Sequence, residues 1–478
     1  MTVDINFLKR KKIFSSATYN KMRYIYMVLF ILAVFTRVLM PIATHESQKV
    51  NAAVFSAVAL FGVAVLVVDF FCDRIMFLGK NYIFLALFII STVVSSILNI
   101  KYGFAGNIRN LIWLSVSFFI LYPIDIKRTK NDIYKEIKFI SNILIVVWFL
   151  AVTASLFMFL LDIGYYIYIY PDSFARLGFI ESRLFGIFED PNFAATTSVL
   201  VIMFSIWNIK VSKRKVFNIF YIINIAFQLF YLVLSGSRTA EISLLFSLLI
   251  FSYFTLRYKF SDINLHKALK EFCFAFLGLA LCCVLFFTMN LIKTGLSYLP
   301  PIISSQMSTT QGHQDRIRPV VTEREDLKDN SDVSSCRVKI WESAFELFKS
   351  KPIFGTSPRN MREYAKSAFP NGFIAQRSYA VHNIYLDILT STGIVGFVII
   401  AIFFIKYLIY VFKYLFLYKR NNYFMVLFCL TVVAEIAVSA ASLSEIFFVN
   451  TIGVLFFWLC LGYSVHFIRL DSLELNKQ

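Results

Sequence analysis

Four side chains in this 478-residue sequence combine residue type and setting in a way that fits chemistry: Arg183, Arg238, Arg337 and His382. His382 stands near the start of VHNIYLDILTSTGIVG, Val381 to Gly396, where a polar stretch turns apolar. A histidine there is a ligand, a catalyst, or a polar residue at a membrane edge, and Asn383 beside it is the better helix cap. Arg183 lies in ESRLFGIFEDPNFAA, where Pro191 directly after Asp190 reads as an ordinary helix start. Arg238 lies in LSGSRTAE, where Gly236 permits a tight turn and Glu241 is spaced to meet Arg238 on the helix that follows. Arg337 comes just ahead of Trp341 in RVKIWESAFELFKS. Each also has a plain structural reading. Arg183 could anchor at lipid headgroups, Arg238 could only pair with Glu241, Arg337 could belong to a solvated face, and His382 could be a polar helix-start residue.

Other reactive types offer less. The seven cysteines are Cys72, Cys273, Cys282, Cys283, Cys336, Cys429 and Cys460. All but Cys336 lie in or at the ends of apolar runs, and no pair has metal-ligand spacing, so neither a disulfide framework nor a zinc site is expected. Glu435 falls inside an apolar run, where a carboxylate costs about 2.5–3.5 kcal/mol on insertion scales unless it pairs or faces water. It faces a central cavity or bonds another helix. Arg37, near Pro41, is close enough to a membrane interface to snorkel and receives no role.

The elements that must position these residues follow from composition. The chain is 58% hydrophobic and 16% charged, more apolar than the polar surface of a soluble protein allows. Its apolar residues come in runs of about 18–22, the length of helix that crosses a bilayer core of roughly 30 Å. The alternation of a barrel strand is absent. The expectation is an all-α polytopic integral membrane protein of about twelve transmembrane helices, at residues 22–43, 52–72, 81–100, 109–124, 139–163, 191–209, 217–234, 240–257, 272–292, 393–412, 424–443 and 446–464. The opening MTVDINFLKRKK is polar and basic, and no cleavable signal peptide is expected.

A net charge of +18 would suggest nucleic acid on a soluble chain. Here it reflects basic cytoplasmic loops, and no nucleic-acid partner is expected. With the N-terminus inside, the inner segments collect Lys9 to Lys12, Lys127, Arg128, Lys130, Lys210, Arg214, Arg257, Lys259, Lys413 and Arg420 among others. The short outer loops hold only scattered cations such as Lys49, Lys101, Arg109, Arg176, Arg183 and Arg238. Both termini are therefore expected in the cytoplasm. Three parts result: residues 1–292 with spans one to nine and short outer loops, residues 293–392 as an extracytoplasmic loop, and residues 393–478 with spans ten to twelve and a cytoplasmic C-terminus. In the long loop, residues 304–332 are polar enough to be mobile. Beyond them Ile340, Trp341, Ala344, Phe345, Leu347 and Phe348 fall at helical spacing, giving an amphipathic helix on the membrane surface or packed over the spans.

Four motifs in one order and on one membrane side carry a resemblance. RLFGIFEDPNFAA, the SGSR turn, RVKIWESAFELFKSKPIFGTSP and HNIYLDILTSTGIVG together resemble the O-antigen ligase and Wzy-type polysaccharide polymerase superfamily, over about Arg183 to Gly396. Members often carry Gln where this chain has Asp387 and Glu where it has Ser391, and GTSPRNM lacks a usual second glycine. The resemblance implies a GT-C-like membrane glycosyltransferase that needs neither metal nor cofactor. It would take an oligosaccharide from undecaprenyl diphosphate, its donor, and pass it to a hydroxyl on an acceptor glycan or lipid, outside the bacterial cytoplasmic membrane. Membrane lipids and other polysaccharide-assembly proteins are the remaining expected partners.

That chemistry asks for groups this chain supplies. Negative charge grows on the leaving diphosphate, and an arginine fork binds phosphate oxygens bidentately; Arg183 and Arg238 are the first candidates, Arg337 the third. The acceptor hydroxyl must lose a proton, and His382 matches the family's histidine as general base. No outer Asp-x-Asp pair is present, consistent with arginines in place of a metal ion. The favoured activity is a polymerase joining lipid-linked repeat units into a surface or capsular polysaccharide. A ligase moving finished glycan to another lipid, glycan or protein shares donor and site. A transporter or flippase is a different class, which usually shows related halves and broken helices.

Overall fold

The computed structural model describes residues 13–43, 48–72, 81–169, 173–212, 214–307, 318–323, 336–417 and 421–475. Helices dominate. They run α1 (Ser16–Val38), α2 (Met40–Ala43), α3 (Gln48–Phe70), α4 (Tyr82–Leu98), α5 (Ala105–Val116, continued by a π-turn at Ser117–Leu121) and α6 (Lys130–Leu160). After a small sheet come α7 (Pro191–Val211), α8 (Lys215–Ser235), α9 (Arg238–Lys259), α10 (Lys267–Ser297) and α11 (Leu299–Met307). The chain closes with α12 (Arg337–Ser350), α13 (Met361–Ala368), α14 (Phe373–Arg377), α15 (Ile384–Leu417), α16 (Tyr423–Ser439) and α17 (Ile452–Leu475).

Local chemistry sets the starts of these helices. Thr129 and Asp132 form a reciprocal capping box at α6, which satisfies two backbone donors that a helix start leaves open. Among the described residues, eight helices are long and apolar enough to cross a membrane: α3, α6, α7, α8, α9, α10, α15 and α17. Helices α4, α5 and α16 are shorter and apolar. The surface agrees with a lipid setting. On α10, Leu277, Leu279, Val284, Phe287 and Leu291 all face outward, an apolar exposure that water would penalise and hydrocarbon does not. By contrast α7 and α17 are buried over most of their length and form the middle of the bundle.

Glu435 is one of the buried groups. It accepts a hydrogen bond from Ser243 Oγ of α9 at 3.0 Å, so it bonds another helix, as one of its two expected readings has it.

Among the described residues, the fold departs from an all-α chain at one sheet. Three antiparallel strands, β1 (Gly164–Ile169), β2 (Ser173–Ile180) and β3 (Arg183–Gly186), follow α6 in the order β1-β2-β3. The sequence from Gly164 alternates with period two, and the intervening YPDS carries turn-forming residues, so the segment favours a hairpin over a longer helix. One face of the hairpin packs Ile167, Ala175 and Leu177 on Met40 and Met158. Backbone bonds from Met40 N to Ile187 O (2.8 Å) and from Glu189 N to Val38 O (3.0 Å) then pin the strand exit to the end of α1.

Between α10 and α15 the chain builds a small core of its own from Ile340, Ala344, Leu347, Met361, Tyr364, Ala365, Ile374 and Val381. Helix α12 therefore packs over other protein elements, with Phe345 left exposed. The polar stretch 304–332, expected to be mobile, lies largely outside the described residues.

Helix α15 is broken at Gly393 (φ 64, ψ −170), and residues 352–357 close the gap. Thr356 N and Ser357 N donate to Thr390 O and Ser391 O at 2.8 and 2.9 Å, and Ile394 N donates to Pro352 O at 2.8 Å. A broken helix needs such partners for its freed backbone groups. A Cβ on Gly393 would stand 2.2 Å from Ile353 O, so both the positive φ and the close approach require glycine.

Candidate functional site

The site grows from two helix starts and a tight turn. Asp190 caps α7, accepting from Asn192 N at 2.7 Å, and Pro191 occupies the first turn. Asp190 Oδ1 also accepts from Asn192 Nδ2 at 3.0 Å. That bond turns the Asn192 carbonyl oxygen toward Arg183, whose Nη2 donates to it at 2.9 Å. Arg183 Nε donates to Ser235 O, the last residue of α8, at 2.8 Å. Arg183 is thereby held between the sheet, α7 and the turn into α9. In that turn Gly236 is left-handed (φ 64) and Ser237 caps α9 through Ala240 N.

Arg238 follows as the first residue of α9 and is the exposed member of the turn. Among the described residues it forms no ion pair with Glu241, which instead feels Lys293 and Arg238 only at longer range. The simple i,i+3 pairing expected as its structural alternative is not formed.

Arg183, Arg238 and Arg337 line one cavity of about 1080 Å³. Two further arginines, Arg37 and Arg176, and three carboxylates, Glu181, Glu189 and Asp190, share its walls with Trp341, Tyr379, Asn450 and Thr451. Sequence reasoning gave Arg37 no role and counted Arg176 only as a scattered outer cation. The end of α1 at which Arg37 falls was the available signal for the first; for Arg176 it was the alternation of the hairpin.

His382 does not line the cavity; it sits at its margin, half-buried, close enough to Asp190, Arg337 and Arg362 to feel their charges. Burial lowers its proton affinity below the ordinary histidine value, Arg337 and Arg362 lower it further, and Asp190 opposes them. The neutral imidazole, the form able to accept a proton, is therefore favoured near neutrality. Asn383 takes the helix-capping duty, its Oδ1 accepting from Tyr385 N at 3.0 Å and Leu386 N at 3.2 Å. His382 itself is left-handed (φ 51), a conformation uncommon for residues other than glycine and one that collects at functional sites.

Arg359, which sequence reasoning passed over, ties together two segments beside the cavity. Its Nη2 donates to Phe448 O at 2.8 Å, joining the 352–360 turn to the α16–α17 connection whose Val449, Asn450 and Thr451 face the cavity. With a fork-shaped cation free on one wall, a second held in place, and a neutral histidine at the rim, the arrangement can hold an oxyanion and take a proton beside it.

Residues 223–401 match the family model described as O-Antigen ligase. The match supports the O-antigen ligase and Wzy-type resemblance and extends beyond its last motif. At family level it describes a membrane enzyme of the glycan ligase or polymerase kind, with lipid-linked glycan and acceptor as substrates. No curated protein matches the chain. Two of the three departures noted in the sequence, Asp387 and Ser391, meet each other: Ser391 Oγ donates to Asp387 Oδ1 at 3.3 Å.

Proposed function

Proceeding from the O-antigen ligase match, we propose that this protein is a polymerase. It joins undecaprenyl-diphosphate-linked oligosaccharide repeats into a surface or capsular polysaccharide at the outer face of a bacterial cytoplasmic membrane. The observation that carries the reading is the shared cavity of Arg183, Arg238 and Arg337 with His382 at its margin. In this reading the chain crosses the membrane twelve times, both termini are cytoplasmic, and residues 293–392 lie outside.

The diphosphate of the donor lies against Arg238, whose fork is uncommitted, and Arg183, which the Asn192 and Ser235 bonds hold ready. Arg337, in the same lining, adds positive potential. As the glycosidic bond breaks, charge grows on the departing phosphate oxygen and is met by guanidinium groups already in place, so no solvent must reorganise. His382 takes the proton of the acceptor hydroxyl as that oxygen attacks the anomeric carbon. Undecaprenyl diphosphate leaves.

The test is chain growth. Purified protein in nanodiscs, given only lipid-linked repeats, is expected to produce a ladder of lengthening glycan. Transfer of one finished glycan to a different acceptor, without a ladder, would identify the ligase that shares this donor and site. The break in α15 gives the transporter reading a supporting feature beside its twelve spans; movement of lipid-linked glycan between leaflets without any transfer would favour it. Orientation has its own check, since Cys336 lines the same cavity. An impermeant thiol reagent applied to intact cells, in a background without the other cysteines, is expected to label it. Labelling only after the membrane is opened would overturn the orientation.

A further inference from the structure

The β1–β2 hairpin has two faces of different character. One is packed on Met40 and Met158. On the other the register sets Tyr166 opposite Arg176 and Tyr168 opposite Phe174, and this face is open, with Tyr168 81% exposed. Its members are coupled. The Tyr166 and Phe174 rings meet edge-on at 5.3 Å, and Arg176 lies over Phe174 at 5.1 Å and Phe185 at 5.6 Å. Glu181 Oε1 accepts from Arg176 Nε at 2.7 Å and from the Tyr166 hydroxyl at 3.2 Å. Arg176, Glu181 and Phe185 also line the cavity. An aromatic surface with one ion pair set into it therefore runs without a break from the cavity wall out along the hairpin.

We propose that this face is a saccharide platform that holds the glycan chain next to the reaction site. The proposal rests on the polymerase reading and adds where the chain lies. A sugar ring presents a face of C–H bonds, which are electropositive, and the faces of Tyr166, Tyr168 and Phe174 are electronegative. Side chains two apart on a strand stand about 6.6 Å apart, the scale of a single sugar ring. The hydroxyls around each ring are donors and acceptors, and the Arg176–Glu181 pair offers both in turn. Acyl chains are the other apolar occupant of such a face, but they would strip water from that ion pair and leave it with no compensating partner. A glycan keeps the pair hydrogen-bonded.

The experiment uses full-length protein in nanodiscs and delipidated polysaccharide from the same cells as the probe. The polysaccharide is expected to slow amide exchange over β1 and β2 of the unaltered protein. Combined Tyr166→Ala, Tyr168→Ala and Phe174→Ala should weaken its binding at least about tenfold. Tyr168→Ala alone, at the most exposed position, guards against a hairpin that fails to form and should weaken binding by a smaller factor with the melting temperature unchanged. Undiminished binding by both folded variants overturns the platform. Exchange that is already slow in glycan-free nanodiscs and indifferent to polysaccharide overturns it in favour of a membrane contact. If the unaltered protein binds polysaccharide through the hairpin but extends no lipid-linked repeat, the polymerase reading fails and the platform stands.

Discussion

Two arginine clusters sit toward opposite ends of α1, and they are built to different ends. Arg23 and Arg37 are separated along that helix by about 21 Å at the usual rise. At the first end, Arg23 Nε donates to Ile120 O at 3.0 Å and Arg23 Nη1 pairs with Glu136 at 2.5 Å. Arg128 takes the other Glu136 oxygen at 2.8 Å, and the Tyr463 hydroxyl donates to the same carboxylate. Arg23 is 2% exposed and Glu136 1%. At the other end, five arginines face a cavity with only three carboxylates among its lining, and Arg238 keeps its fork open. The residue type is the same in both. What differs is that Arg238 keeps spare donors, and a guanidinium with spare donors in a concave site is equipped to meet a ligand.

The largest effect that would test the contrast is at the cavity margin. His382→Ala is expected to lower turnover per folded protein by about 10²–10⁴-fold while the melting temperature holds. Near-normal turnover would return His382 to a polar residue at a helix start. The closed cluster should respond in the opposite manner. Glu136→Ala leaves two buried guanidinium groups without their carboxylate, at a cost of about 3–5 kcal/mol. Folded yield and thermal stability should drop, and turnover per surviving folded molecule should stay near normal. A stable Glu136→Ala protein that is catalytically dead would break the comparison.

Arg238→Lys sharpens it further. Lysine keeps the charge but not the paired fork, so donor affinity and polymer yield should fall by about tenfold or more with stability unchanged. Full activity with unchanged donor binding would place Arg238 with the structural arginines. A smaller effect concerns protons. Arg337 is one of the charges that depress His382, so Arg337→Ala should raise its proton affinity toward the ordinary value. In the proposed mechanism the base form is the active one, so activity should be lost as pH falls through that value, and the acid limb of kcat/KM should move to higher pH. A profile between about pH 5 and 8 reads the shift; an unmoved limb would separate Arg337 from the base. The smallest expected effect is that of a chelator, which should leave chain growth intact if, as proposed, arginines meet the diphosphate charge. A loss that Mg²⁺ or Mn²⁺ restores would sink the arginine-for-metal reading.

Much of the site could be read ahead of the fold. Asp190-Pro191 marked a helix start and Gly236 a tight turn, because caps and left-handed turns are written in a few adjacent residues. Asn383 was legible as the better cap for the same reason. Less visible was the hairpin, whose alternation is short and follows directly on the apolar run of α6. Arg37 was hidden because it stands in no motif, and Arg359, although it lies in GTSPRNM, because its neighbours in sequence give it no partner. Only their neighbours, Glu189 and the cavity wall for one and Phe448 O for the other, give them a place.

The sequence by itself determined which segments are apolar enough for hydrocarbon and which polar residues fall at their ends. Both are sums over neighbouring residues, and a bilayer rewards composition and a self-satisfied backbone whatever the partners. Tertiary structure decided the rest. It joined Arg183 to Ser235 across 52 positions and Ser95 Oγ to Ser391 O across 296, and it spent one arginine on those bonds while leaving Arg238 open. It also gave Glu435 a serine from another helix and the hairpin an open aromatic face. Which donors are filled depends on groups brought together from distant parts of the chain, and no local pattern encodes that.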